Sequence, residues 1–265
     1  MNTFGFIGTG NMGGALAKAV CRKCPDEVVL SNRTMLKAEA LAEKLGCRVS
    51  SVMAVAKDCR YLFLGVKPQM MADLLDEIAP VLKNREDVIL VSMAAGLTIA
   101  DIQRMAGNAY PVIRIMPNPP VAVGEGVVLY TVSENVTDEM KNTFCNALSG
   151  AGLLDEIPEK LMDAGSAVAG CGPAFACLFL EALADGGVAC GLPRDKALRY
   201  GAQMLLGTAK LVLESGEHPG KLKDAVCSPG GSTIAGVRAL EQGNFRGSTM
   251  DAVESAFYRT KELGK

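Results

Sequence analysis

Phe4-Gly5-Phe6-Ile7-Gly8-Thr9-Gly10-Asn11-Met12-Gly13 is the stretch on which the fold turns. Residues 4–7 have strand character, and residues 14–21 beyond the last glycine carry Ala, Leu and Val at helical spacing. A bare G-x-G-x-x-G is common. Set between a strand and a helix it is the Rossmann pattern: the first glycine makes the turn, the second lets backbone approach a pyrophosphate, and the third lets helix pack on strand. The diphosphate then sits at the helix N-terminus. Gly8, Thr9, Gly10, Asn11, Met12 and Gly13 are therefore the expected cradle of a dinucleotide.

Outward from this unit the pattern repeats. Apolar β-rich runs at 28–30, 61–66, 88–92, 112–116, 127–130 and 153–157 alternate with stretches of helix length, which predicts βαβ units on a parallel sheet. Residues 34–45 read as a helix closed by Gly46, Thr98 with Asp101 has capping-box spacing, and 137–148 reads as another helix. At the end of the second strand, where NAD enzymes usually carry an acid for the ribose 2′-hydroxyl, stands Ser31-Asn32-Arg33-Thr34. No carboxylate there repels a 2′-phosphate, and Arg33 can pair with one, so NADPH is the expected cofactor and NADH the alternative. Ligands of open parallel sheets bind beyond the carboxyl ends of the strands. The loops Gly65-Val66-Lys67-Pro68, Met93-Ala94-Ala95 and Met116-Pro117-Asn118 lie at such ends and are assigned to the nicotinamide half.

Composition narrows the function by exclusion. The 265 residues carry 27 basic and 29 acidic side chains, a net charge of −2, and are 49% hydrophobic, the profile of a soluble globular chain. That balance offers no electrostatic footprint for nucleic acid or an anionic membrane, so neither is expected as a partner. Residues 1–17 contain no basic side chain to make the charged start of a signal peptide. The nine cysteines are an odd number scattered through a chain too large to need disulfides. A cytoplasmic location is the expectation. A single histidine, His218, leaves little for a hydrolytic triad or a zinc site, and no metal is expected. Cys21-Arg22-Lys23-Cys24 has redox spacing but no second pair follows, and it reads as packing at a helix end.

After Pro158 the texture changes. Ala/Leu/Met-rich stretches at 174–189, 195–215 and 250–263 carry helical periodicity. The expected organisation is α/β: a Rossmann-type doubly wound sheet over residues 1–157 that binds the dinucleotide, then an all-helical domain over 158–265. Several of these helices are apolar around much of their circumference, which predicts dimerisation through them. Between two of them runs Val226-Cys227-Ser228-Pro229-Gly230-Gly231-Ser232-Thr233. Its glycines turn the chain into a new helix reaching about Gln242, capped by Ser232 or Thr233, and a glycine turn feeding a helix start makes an anion site suited to a carboxylate.

With that loop in hand the chain resembles the pyrroline-5-carboxylate reductases over essentially its whole length. The matching pieces include Gly5-Phe6-Ile7-Gly8-Thr9-Gly10-Asn11-Met12, Val66-Lys67-Pro68-Gln69, Arg114-Ile115-Met116-Pro117-Asn118, Gly170-Cys171-Gly172-Pro173-Ala174-Phe175 and His218-Pro219-Gly220, with the loop from Leu222 to Thr233 the most specific. The resemblance implies reduction of 1-pyrroline-5-carboxylate to L-proline by hydride transfer from NADPH or NADH, the last step of proline biosynthesis. It implies that the helical domain interlocks with a second copy, and that dimers build decamers in fives. It also implies that Ser228, Gly230, Gly231, Ser232 and Thr233 hold the substrate carboxylate, that Val226 lines the pocket, and that Thr233 is catalytic beside the ring nitrogen. Cys227 stands where the family often has Ser or Thr, and Ser51-Val52 where many members carry an asparagine. The competing expectations are a β-hydroxyacid dehydrogenase or imine reductase of related plan, and a dinucleotide-binding sensor without turnover. The first is disfavoured because residues 166–180 contain no lysine.

Overall fold

The computed structural model describes residues 2–263. Contacts divide the chain into two compact units, one holding the residues up to Cys171 with the C-terminal segment from Ala256, the other Gly172–Ser255.

The first unit is built on an eight-stranded sheet: β1 (Asn2–Ile7), β2 (Val28–Ser31), β3 (Arg48–Val49), β4 (Cys59–Leu64), β5 (Ile89–Ser92), β6 (Val112–Pro117), β7 (Gly126–Val132) and β8 (Gly152–Glu156), in the spatial order β3-β2-β1-β4-β5-β6-β7-β8. Neighbours are parallel except β6 and β7, which pair antiparallel. The short stretch 118–125 between those two cannot hold a helical crossover, so the chain doubles back through a 3₁₀ turn at Pro119–Val123. A uniformly parallel sheet is corrected at that point. β3 goes unpredicted because two residues carry no periodicity.

Strand alternation sends successive side chains to opposite faces. Phe4, Phe6, Tyr61, Phe63, Ile89 and Val91 meet α1 (Asn11–Cys21), α2 (Met35–Leu45) and α6 (Asp138–Leu148) on one side. Ile7, Leu62, Leu64 and Leu90 meet α3 (Val52–Asp58), α4 (Met71–Leu82) and α5 (Ile99–Ala106) on the other. The sheet is thus doubly wound, with a core on each face. Phe6 and Phe63 stack with ring centroids 4.3 Å apart, pinning β1 to β4. The Thr98–Asp101 capping box forms, the Thr98 hydroxyl accepting from the Asp101 N–H and the Asp101 carboxylate from the Thr98 N–H.

One buried charge ties the later part of this unit together. Arg114 on β6 is 3% exposed, and its guanidinium donates to Glu159 at 3.1 Å and to Asp163, on α7 (Met162–Gly165), at 3.4 Å. The same Glu159 oxygen accepts from the N–H of Ile99, the first residue of α5. These bonds keep residues 158–171 with the sheet, so the packing division falls after Cys171 rather than at the 157/158 change in sequence texture.

The second unit is helical: α8 (Gly172–Ala189), α9 (Arg194–Ser215), α10 (Pro219–Ala225), α11 (Ser232–Gln242) and most of α12 (Phe245–Leu263). Arg194 is ion-paired with Asp185 across the α8–α9 turn. Among its described residues only Ala184 and Ala197 are buried, while Leu178, Leu206, Leu211 and Leu213 are more than half exposed.

Candidate functional site

The sheet changes direction at β1. The chain runs outward from β1 to β2 and β3, then crosses to β4 on the opposite side, and the carboxyl ends of β1 and β4 border the crevice where such sheets bind ligands. Backbone closes the floor of that crevice. The Gly8 N–H donates to Ser31 O at 2.9 Å, and the Gly65 N–H donates to Ile7 O at 2.7 Å. Gly8 sits at φ +96°, and a Cβ there would lie 2.6 Å from Gly65 O. A Cβ on Gly13 would overlap the carbonyl oxygen of Gly8, whereas one on Gly10 meets nothing within 4 Å. Gly8, Gly13 and Gly65 are small so that strands and helix can touch. Gly10 faces open space.

Above this floor lies a cleft of about 590 Å³. Of the residues expected to hold the cofactor, Gly8, Thr9, Gly10, Asn32, Arg33, Gly65, Val66 and Lys67 line it. Gly10 caps α1 without a side-chain bond, and the first turn of α1 holds no acid, so its N–H groups are free for an anion. Thr9 Oγ1 is buried with no hydrogen-bond partner, a donor and acceptor that a diphosphate or ribose oxygen satisfies. At the other end, Lys37 joins Arg33 and Asn32 on the wall. It belongs to the first turn of α2, which likewise has no acidic residue and no side-chain cap bond from Thr34. Two cations and a bare helix start suit a 2′-phosphate. Lys37 was not anticipated, although a lysine three residues after a helix cap, where acids are favoured, is a readable anomaly. Val52, Met70, Asp73, Leu74 and Glu77 complete the lining and carry no comparable signal.

Other expected residues stand elsewhere. Asn11, Met12 and Gly13 form the first turn of α1, with Met12 packed on the core. Ser31 is fully buried, on the strand face of Val29, and its hydroxyl has no partner. Pro68 opens a 3₁₀ turn beside Lys67. Met93 packs on the core, Ala94 is buried, and Ala95 packs against Met116, Leu129 and Met162, which brings two of the assigned loops side by side. Asn118 is 6% exposed and committed to the protein: its Oδ1 accepts from Val127 N–H at 2.8 Å and its Nδ2 donates to Ala169 O at 2.9 Å. Ala169 belongs to a π turn, Ser166–Gly170, so Asn118 clasps the β6–β7 connection to that turn.

In the helical unit the Val226–Thr233 loop is exposed apart from the partly covered Cys227 and Gly231. His218 caps α10, its Nδ1 accepting from Gly220 N–H at 3.0 Å. Gly230 takes the left-handed conformation at φ +69°, and the Gly231 N–H donates to Ser228 O at 3.0 Å. Gly231 itself is the cap of α11, in place of the expected Ser232 or Thr233, because the turn delivers its backbone in the extended cap geometry. Ser232 and Thr233 therefore lie in the first helical turn with exposed side chains, next to uncapped N–H groups.

Comparison with known proteins covers both units. Residues 159–263 match the family model for pyrroline-5-carboxylate reductase dimerisation, and residues 3–96 that for NADP oxidoreductase coenzyme F420-dependent proteins. A pyrroline-5-carboxylate reductase of Pisum sativum is 41% identical over 264 residues, spanning 98% of this chain and 96% of its own. Pyrroline-5-carboxylate reductase 2 of Homo sapiens is 41% identical over 267 residues, spanning 98% of this chain and 83% of its own. The crystal structure of the Plasmodium falciparum pyrroline carboxylate reductase with NADP bound superposes with a TM-score of 0.87 at 32% identity, covering 99% of this chain and 98% of that one. The Coxiella burnetii pyrroline-5-carboxylate reductase superposes at 0.90 with 29% identity, covering 100% and 99%.

Proposed function

The chain belongs to the pyrroline-5-carboxylate reductase family, and from that premise we infer that it reduces 1-pyrroline-5-carboxylate to L-proline with NAD(P)H, the closing step of proline biosynthesis. The observation that carries this reading is a likeness that spans the dinucleotide-binding part and the helical part at once, at about two residues in five. It is an oxidoreductase acting on a C=N bond.

Reducing a cyclic imine requires a hydride on carbon and a proton on nitrogen. The nicotinamide cofactor supplies the hydride. An imine is basic enough to gain its proton readily, so no strong buried acid is needed from the protein, in keeping with a chain that has one histidine and uses it as a helix cap. Placement remains, and holding two reactants in near-attack geometry contributes roughly 7–11 kcal/mol. The proposed division of labour is residues 1–157 for the dinucleotide and residues 158–265 for substrate and dimerisation. Ser228, Gly230, Gly231, Ser232 and Thr233 anchor the carboxylate at the start of α11, Val226 borders the ring, and Thr233 hydrogen-bonds its nitrogen. Thr233→Ala is expected to lower kcat/KM about 10-fold in a folded enzyme; unchanged turnover and substrate affinity remove Thr233 from the mechanism.

NADPH is the preferred carrier on this reading, because Arg33 and Lys37 flank the start of α2 and no carboxylate of β2's end opposes them. Arg33→Ser is expected to cut kcat/KM for NADPH about 10–100-fold while leaving NADH nearly untouched, the asymmetry expected of a charge-assisted phosphate contact. Equal losses with both carriers assign Arg33 to adenine stacking instead.

The helical stretch Glu159–Ala189 is long and apolar enough, by length and composition alone, to cross a membrane. The dimerisation match over 159–263 gives that surface a different occupant, a second copy of this chain, and a pentamer of dimers is the proposed assembly. A cytoplasmic location agrees with the scattered, unpaired cysteines. The direct test follows NADPH absorbance with pyrroline-5-carboxylate, its six-membered homologue and a 3-hydroxyacid in parallel. Fastest turnover is expected on the five-membered imine; fastest turnover on the hydroxyacid overturns the reading.

A further inference from the structure

Arg114, Met116 and Asn118 occupy alternate positions along β6 and its extended continuation, so they share a face. All three serve the segment that follows β8. Arg114 is bonded to Glu159 and Asp163, Met116 shares a small apolar cluster with Met162, and Asn118 Nδ2 donates to Ala169 O at 2.9 Å. The last bond answers a defect written in the sequence. In an α-helix the Ala169 carbonyl would accept from the residue four further on, which is Pro173 and has no N–H. The chain runs instead through the π turn Ser166–Gly170, with the Cys171 N–H donating to Ser166 O at 3.0 Å, and Asn118 serves the carbonyl that Pro173 cannot. The other polar groups of Asn118 are also engaged. Its N–H donates to Val127 O at 3.2 Å, its Oδ1 accepts from the Val127 N–H at 2.8 Å, and its C=O accepts from the Val121 N–H at 3.2 Å.

Asn118 stands just past the carboxyl end of β6, and Ala95, from the loop after β5, packs on the same Met116 cluster. These are the loops assigned to the nicotinamide half of the cofactor. Granted NAD(P)H-dependent imine reduction, we propose that Asn118 is a positioning residue for hydride transfer: its amide fixes the Ser166–Gly170 turn as a wall of the nicotinamide pocket, without itself touching the cofactor. π turns are rare and recur at functional sites. This one is braced on both sides, by Arg114 through Asp163 before it and by Asn118 through Ala169 within it. Freeing the turn lets the nicotinamide ring stray from near-attack geometry. The diphosphate cradle stays as it was, because β1 is separated from β6 by β4 and β5. Asparagine is needed for both of its side-chain bonds: an ionised aspartate keeps an acceptor for the Val127 N–H but has no donor for Ala169 O.

The first arm of the test needs no variant. Hydrogen–deuterium exchange of the wild-type protein is followed in peptides covering 166–171, alone, with NADPH, and with 2′-phospho-ADP-ribose, which has the adenosine half and the diphosphate but no nicotinamide. NADPH alone of the two is expected to slow exchange in the turn, by about 5-fold or more. Equal slowing by both ligands, or none by NADPH, overturns the assignment. In the second arm Asn118→Asp and Asn118→Ala are assayed well below their melting temperatures, with NADPH and with NADPH deuterated at the transferred position. Both should lose about 10-fold in kcat and show a larger isotope effect on kcat, as hydride transfer becomes the slow step, while the Kd for NADPH stays within about 2-fold. A variant that melts earlier but keeps the wild-type kcat and isotope effect makes the bond merely structural and overturns the proposal. A Kd that rises in step with the fall in kcat also overturns it, since that marks direct contact. If neither variant folds, the exchange arm decides. Wild-type turnover on pyrroline-5-carboxylate is measured first, so a failure of the reductase reading shows there and is told apart from a failure at Asn118.

Discussion

Gly13→Ala is expected to abolish useful cofactor binding, raising the Kd for NADPH at least ~100-fold, about 2.7 kcal/mol. The added methyl overlaps the carbonyl oxygen of Gly8, and both groups are backbone, so no rotamer change relieves the clash. Either α1 moves away from the sheet or the Gly8–Gly13 turn opens, and both displace the N–H groups that face the diphosphate. The melting temperature should fall by several degrees at the same time, as a loss of a few kcal/mol implies. Gly10→Ala separates the two effects. Its methyl meets nothing within 4 Å, so the melting temperature should hold while the KM for NADPH rises, because the side chain takes space meant for ligand. Titration of NADPH and thermal melts on the two variants decide the matter. Equal destabilisation by both would mean that Gly10 is a packing residue after all.

Arg114→Ala is expected to cost about 2–3 kcal/mol of stability. Removing one member of a buried ion pair typically costs 3–5 kcal/mol. The figure is taken lower here because Glu159 and Asp163 keep 34% and 28% of their side-chain surface in contact with solvent. The loss spreads beyond the pair, since Glu159 also holds the first N–H of α5. Arg114→Lys retains the charge but cannot fork between two carboxylates, and should recover less than half. Urea unfolding followed by far-UV circular dichroism measures both variants. A midpoint within error of wild type for Arg114→Ala would show that the two acids are indifferent to their partner.

Much of the sheet was legible because its signals are local. The run into Gly8 and the alternation along Phe4 and Phe6 and along Tyr61 and Phe63 each announce a strand without reference to anything distant. Thr98 and Asp101 announce a helix start in the same way. What escaped depends on partners far along the chain. The reversal between β6 and β7 follows from the length of a connection, not from any residue in it. Asn118 reads as a polar residue at a strand end, suited to a ligand, until Val127 and Ala169 prove to occupy its amide. Ser31 carries the right chemistry at the right place in sequence, yet strand alternation points its side chain into the core. Lys37 is marked locally, as a cation in a first helical turn where acids are favoured, whereas Asp73 and Glu77 reach the cleft only because α4 packs where it does.

The helical unit, in which two alanines are all that the chain buries for itself, places part of this molecule under the law of mass action. A segment with no core of its own draws its stability from association, and that stability scales with the logarithm of protomer concentration. During synthesis the sheet can be complete while the helices still await a second chain. On dilution the order is expected to reverse: the Gly172–Ser255 unit loosens first, at a temperature set by how much protein is in the tube, while the sheet keeps a melting point of its own.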